Sequence, residues 1–177
     1  MRDFLLIAGI SLAAILLGSA LFFFGPKSLQ SDVNSALLSG QIGPTSPTSF
    51  VLLEQGVNAI SISTRTNYRI TTSADLAALW PIVYGQRNAP NIPVVDFNKY
   101  EVLAIFDGTH SVGGYDVKVA GIKDVNPTRT VIIDHLVPSS SCVAKGPSNP
   151  FQIIQVPKTS FVLSHQDITG TSTCSTN

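Results

Sequence analysis

The side chains able to do chemistry are few and widely spaced. The chain holds 3 histidines and 2 cysteines, with serine abundant throughout. Each histidine has a carboxylate close to it in sequence: Asp107 for His110, Asp134 for His135 and Asp167 for His165. A carboxylate beside an imidazole fixes its tautomer, as a general base or a metal ligand requires. Yet no two histidines stand at the helical or hairpin spacing of a zinc site, so no metal is expected. Nucleophiles are no better placed. There is no G-x-S-x-G elbow, and Ser139-Ser140-Ser141-Cys142 lies in a polar loop between proline and glycine rather than between a strand and a helix. Lys158 and Ser160 are close enough in sequence for a Ser/Lys pair, and Cys142 or Cys174 with His135 would make a Cys/His pair only as a free thiol. These hydrolases are the enzymatic alternative to the main expectation, a protein without catalytic residues or cofactor.

The local feature that stands out is Gly108-Thr109-His110-Ser111-Val112-Gly113-Gly114-Tyr115. It is not a phosphate loop, because no Gly-Lys-Ser/Thr follows and the next segment alternates like a strand. Two readings remain. The glycines permit a tight or left-handed turn in a hairpin, a purely structural role. Alternatively the turn is presented for recognition, with Gly108, His110, Gly113, Gly114 and Tyr115 as its candidate residues.

The elements that must hold this turn are mostly strands. Glu101-Val102-Leu103-Ala104-Ile105-Phe106 is apolar on both alternating faces after its first residue, the mark of a central strand covered on each side. In Gly114 to Gly121, Tyr115, Val117 and Val119 alternate with Asp116, Lys118 and Ala120, the pattern of a strand with one solvated surface. Further strands are expected at Phe50 to Leu53, within Asn58 to Ser63 and Asn67 to Thr71, at Thr128 to Asp134, at Phe151 to Val156 and at Ser160 to Ser164. Thr72-Ser73-Ala74-Asp75 resembles a capping box and opens the best helix signal. Leu76, Leu79 and Trp80 share one face there, with Trp80 as a core anchor and Pro81 limiting the element, either as its end or with Ile82-Val83-Tyr84 continuing as an irregular turn before Gly85. The expected fold is a β-rich α+β domain, a mainly antiparallel sheet with one packed helix.

Before this domain comes FLLIAGISLAAILLGSALFFF, Phe4 to Phe24, without a charged side chain. A helix of that length reaches about 30 Å, the thickness of a bilayer's hydrocarbon core. The run is longer than a signal-peptide core and ends in bulky Leu21-Phe22-Phe23-Phe24, so an uncleaved transmembrane anchor in a cell membrane is expected. Arg2 and Lys27 nearly balance across it, and the terminal amine tips the N-terminus toward the cytoplasm. The expected plan is therefore an anchor over 1–27, a Pro/Gly/Ser spacer over 28–49, an extracytoplasmic domain over 50–167 and a Ser/Thr-rich tail over 168–177. Both cysteines fall outside the cytoplasm in this plan, where a Cys142–Cys174 disulfide would stabilise the fold by about 3–4 kcal/mol on chain-entropy reasoning. Formal charge is balanced at 11 Lys/Arg against 11 Asp/Glu, with no basic patch, so nucleic acid is not an expected partner.

Several of these segments together carry a family resemblance. Val95-Asp96-Phe97, the Val102 to Phe106 strand, Gly108, Gly113-Gly114-Tyr115 and the alternating Val117 and Val119 resemble the C-terminal domain of the PrcB family, a bacterial protease-complex subunit. Pro138, Cys142, Ser148-Asn149-Pro150-Phe151 and Ile154 to Lys158 are similar to that family's closing segment. The resemblance implies a non-catalytic, envelope-associated domain that binds another envelope protein and helps to assemble or stabilise an extracellular protease; an inhibitor is the nearest rival within the binding class. Here the anchor is an apolar segment without a lipidation cysteine.

Overall fold

The computed structural model describes residues 47–85 and 89–172. The expected membrane span, most of the spacer and Cys174 lie outside them; among the described residues no helix is long and apolar enough to cross a membrane.

Seven strands and one helix follow in the order β1 (Val51–Gly56), β2 (Thr66–Ile70), α1 (Ser73–Tyr84), β3 (Tyr100–Phe106), β4 (Asp116–Val125), β5 (Thr128–Pro138), β6 (Phe151–Pro157) and β7 (Val162–Ser172). They form two sheets, β1-β6-β3-β2 and β4-β5-β7. Pairing is antiparallel except between β5 and β7. The parallel pair arises because the chain leaves β5, crosses to the other sheet as β6 and returns as β7.

Strands β3 and β6 are covered on both faces, as the unbroken apolar run in β3 predicts. On one face Val102, Ala104, Phe106, Phe151 and Ile153 pack with Leu76, Leu79, Trp80 and Val83 of α1. On the other, Leu103, Ile105, Ile154 and Val156 meet Val117, Val119, Ile122, Val131, Ile133 and Leu163 of the second sheet. The layers are thus helix, sheet, sheet, and the β-rich α+β expectation is met. In β4 a bulge between Val119 and Gly121 returns Ile122 to the buried face, so the strand outlasts its simple alternation.

Helix α1 begins where its cap predicts. The Asp75 amide donates to Thr72 Oγ1 at 3.1 Å, while that hydroxyl donates to Asp75 Oδ2 at 2.7 Å, so the short carboxylate binds the cap's side chain rather than its backbone. Thr72→Ala is expected to cost about 1 kcal/mol, read as a lower midpoint of thermal unfolding. Pro81 does not end the helix. The Gly85 amide closes on the Pro81 carbonyl at 2.8 Å, and the Ile60 and Ser61 amides take the carbonyls of Val83 and Ile82. Tertiary bonding and the burial of Val83 hold the last turn that proline weakens. Trp80 is buried as expected, its Nε1 donating to the Pro90 carbonyl at 2.7 Å.

Several boundaries differ from the sequence expectation: β1, β4 and β5 run three to four residues past their expected ends, to Gly56, Val125 and Pro138. Asn58 to Ser63 contributes only a bridge from Asn58 to Asn149, because its amides serve α1 and Asn149. Strand β7 runs through Ser172, into the expected tail, since it pairs with β5 over its whole length. The end of the expected spacer is bonded to the domain: Pro47 bridges Lys123, and the Thr48 amide donates to Ile122 O at 3.0 Å.

Candidate functional site

The faces that β3 and β5 turn toward each other have complementary patterns. Along β3 and just past its end they run Glu101, Leu103, Ile105, Asp107; along β5, Arg129, Val131, Ile133, His135. Acid faces base at each end, and aliphatic side chains fill the middle. Strand β2 and the residue before it flank this row with Arg69 beside Glu101 and Arg65 beside Asp107.

The Glu101 end is saturated. Glu101 is 0% exposed and accepts two bonds at Oε2 from Arg69, at 2.9 and 2.7 Å, and one at Oε1 from Arg129 at 3.2 Å. Arg69 also reaches the carbonyls of Thr159 and Phe161, and Arg129 that of Pro157. Arg129 forks onto both oxygens of Asp124 at 2.8 and 2.7 Å, and its hydrogen bonds hold that carboxyl below its ordinary range. Each buried charge has an opposite partner and hydrogen bonds, as survival in a low dielectric requires.

The Asp107 end gathers every histidine in the chain. Asp107 Oδ1 accepts from Arg65 at 3.0 and 2.7 Å and meets His135 Nδ1 at 2.6 Å; Oδ2 meets His110 Nε2 at 2.7 Å. His135 Nε2 lies 3.2 Å from Asp167 Oδ1, which is also 3.1 Å from His165 Nδ1. The His110 ring stacks on Tyr115 with centroids 3.7 Å apart and planes 7° from parallel. Burial alone would raise the Asp107 carboxyl, but the bonds from His135 and His110 and the charges of His135 and Arg65 outweigh it and hold it low. Asp167 is held low chiefly by hydrogen bonds from His135 and His165. Among the described residues no group of three or more His, Cys, Asp or Glu side chains is arranged to hold a metal, because these rings address carboxylates rather than a common point.

Sequence proximity picks the right carboxylate for His110 and for His165, but not for His135. Asp134 points to the opposite face of its strand and stands in register with Lys118, whereas His135 follows Val131 and Ile133 into the sandwich. The period-2 pattern of β5 carried that signal.

Segment 107–115 crosses from one sheet to the other, so it is not a hairpin. It is stitched to the 139–148 loop by bridges from His110 to Ser148 and from Gly113 to Ala144, and Ser148 Oγ donates to Val112 O at 2.9 Å. Gly108 and Gly114 have φ of 81° and 98°. A Cβ on Gly114 would stand 2.5 Å from Cys142 O, and one on Gly108 2.9 Å from Arg65 N. Gly113 is buried, Tyr115 is half-buried against His110, and Thr109 and Ser111 are the exposed members. In the neighbouring loop Cys142 is not a free thiol, and Ser139 Oγ donates to its Sγ at 2.9 Å.

No protein-family model matches the chain, and neither a curated protein nor a solved structure matches it significantly.

Proposed function

We propose that the chain is a membrane-anchored, extracytoplasmic binding domain that engages another envelope protein without chemical turnover, a protease whose assembly or stability it supports. The observation that carries this reading is the surface made by segments 107–115 and 139–148. Their backbone bridges and positive-φ glycines fix them to each other before any partner arrives. Thr109, Ser111 and Val143, the last 50% exposed, stand on that fixed frame. A preordered surface loses little conformational entropy on association. The histidines support a structural rather than a catalytic role, because Asp107 and Asp167 occupy ring nitrogens on each of them. In this reading Phe4 to Phe24 is the anchor and Cys142 pairs with Cys174.

The test is capture of the tagged full chain from detergent-solubilised native membranes, beside a Thr109→Arg/Ser111→Arg variant. Both positions are exposed, so the variant should melt like wild type while recovering at least tenfold less partner, the size of a lost interface contact of about 1.4 kcal/mol. The recovered partner is then assayed for proteolysis with and without the chain. Retained or increased activity supports assembly, and dose-dependent loss would replace it with inhibition. Turnover of a peptide or ester by the chain alone, abolished at Ser160 or Cys142, would refute the binding reading.

A further inference from the structure

We propose that His135 is a proton-operated latch, tying edge strand β7 to central strand β3 across the sandwich while its ring carries two N–H groups and releasing the far half of β7 when one is lost.

The argument begins with donor counting. Both ring nitrogens face carboxylate oxygens, Nδ1 at 2.6 Å from Asp107 and Nε2 at 3.2 Å from Asp167. An ionised carboxylate only accepts hydrogen bonds, and a neutral imidazole has a single N–H. The two contacts are therefore satisfied together only by imidazolium. With the neutral ring, one nitrogen lone pair confronts a carboxylate oxygen at hydrogen-bonding distance.

The surroundings determine which contact yields. Asp107 is 2% exposed, is held by Arg65 and His110 as well, and makes the shorter bond. Asp167 is 35% exposed, is held otherwise by His165, and can turn toward water. Among the described residues, the elements packed around the ring bring in no further charge. Val117, paired with His135 on β4, is apolar; Gln152 of β6 is neutral and spends its Oε1 on the Val119 amide; Lys118 and Asp134 sit on the outer face of their sheet. Beyond Asp167, β7 has β5 alone as its strand neighbour among the described residues, and Ser172 Oγ donates to Gly114 O at 3.2 Å.

Burial and, to a smaller extent, the charge of Arg65 oppose the charged ring, but its bonds to Asp107 and Asp167 prevail and raise its pKa above the ordinary 6.5. A raised folded pKa gives stabilisation that is complete below about 6.5 and is lost as pH climbs through the folded value. Both carboxylates are depressed, so their contribution is present above the ordinary 3.8 and is lost only on deeper acidification. The latch is therefore shut in mildly acidic solution and opens on the alkaline side.

Hydrogen exchange of the full chain in detergent, corrected for intrinsic rates, tests it at about pH 5.5 and about pH 8.5. Protection of amides over 168–172 should fall about tenfold more than that of the β3 amides between the two conditions. In Asp167→Asn the side-chain amide can donate to a neutral ring or accept from a charged one, so the extra fall should vanish. Nitrogen-15 shifts of the His135 ring provide a reading that needs no variant: both nitrogens should be protonated at the acidic condition. A neutral ring there, a pH-independent β7 in wild type, or a wild-type response in Asp167→Asn would each overturn the proposal.

Discussion

Replacing Glu101 with glutamine is expected to destabilise the domain by about 3–5 kcal/mol, the cost of stripping one member from a buried ionic network. The carboxylate is fully buried and serves Arg69 and Arg129 at once. Its removal leaves Arg69 without a carboxylate partner among the described residues and Arg129 with Asp124 alone, and Arg129, 3% exposed, has no route to water short of opening the sandwich. Glutamine preserves shape while losing the charge, which separates the electrostatic cost from a packing defect. For a domain of this size the loss corresponds to a fall of roughly 10–20 °C in the unfolding midpoint, readable from the fluorescence of the single tryptophan, Trp80. A midpoint within about 2 °C of wild type would mean that water or side-chain movement neutralises the pair, and that the network contributes little.

Gly114→Ala should be nearly as damaging, at about 2–5 kcal/mol, and Gly146→Ala supplies its control. Both glycines have positive φ, 98° and 88°, so both substitutions pay the left-handed penalty of about 1–2 kcal/mol. Only Gly114 adds a collision, with Cys142 O at 2.5 Å and Pro138 Cβ at 2.9 Å; around Gly146 nothing lies within 4 Å of the new atom. Thermal unfolding of the two variants side by side isolates the steric part. Equal losses would show that the clasp between segments 107–115 and 139–148 yields freely, and would remove the rigidity on which the binding proposal depends.

Much of the fold was legible because it obeys periodicity. The doubly apolar run in β3 predicted a central strand with two covered faces, and the alternation in Val117 and Val119 predicted a half-exposed one. Local bonding was legible too, since Thr72 and Asp75 announce the start of α1. What the sequence concealed was long-range. Asn58 to Ser63 has strand-like alternation, but its amides are drawn to the end of α1 and to Asn149. Pro81 looks like a stop because the neighbours that rescue the last turn come from residues 60 and 61. The histidine cluster was hidden for the same reason. His135 reaches Asp107 and Asp167 only after two sheets are stacked, and proximity along the chain favoured Asp134, which faces the other way. The turn at Gly108 to Tyr115 was found from its glycines, while the loop clasping it left no local sign.

The acid and base rows on β3 and β5 share one spacing: Glu101 to Arg129 and Asp107 to His135 are each separated by 28 positions. Aliphatic surfaces slide past one another with little preference, so an oily layer alone would not index the sheets. Here the two strands are cut to a common gauge, with a charged peg at each end roughly 20 Å apart. A slip of one pleat would unseat both pegs together. Sequence drift within the four aliphatic positions is thereby permitted, whereas an insertion inside either strand is not, and the connecting loops are left as the regions where length can change.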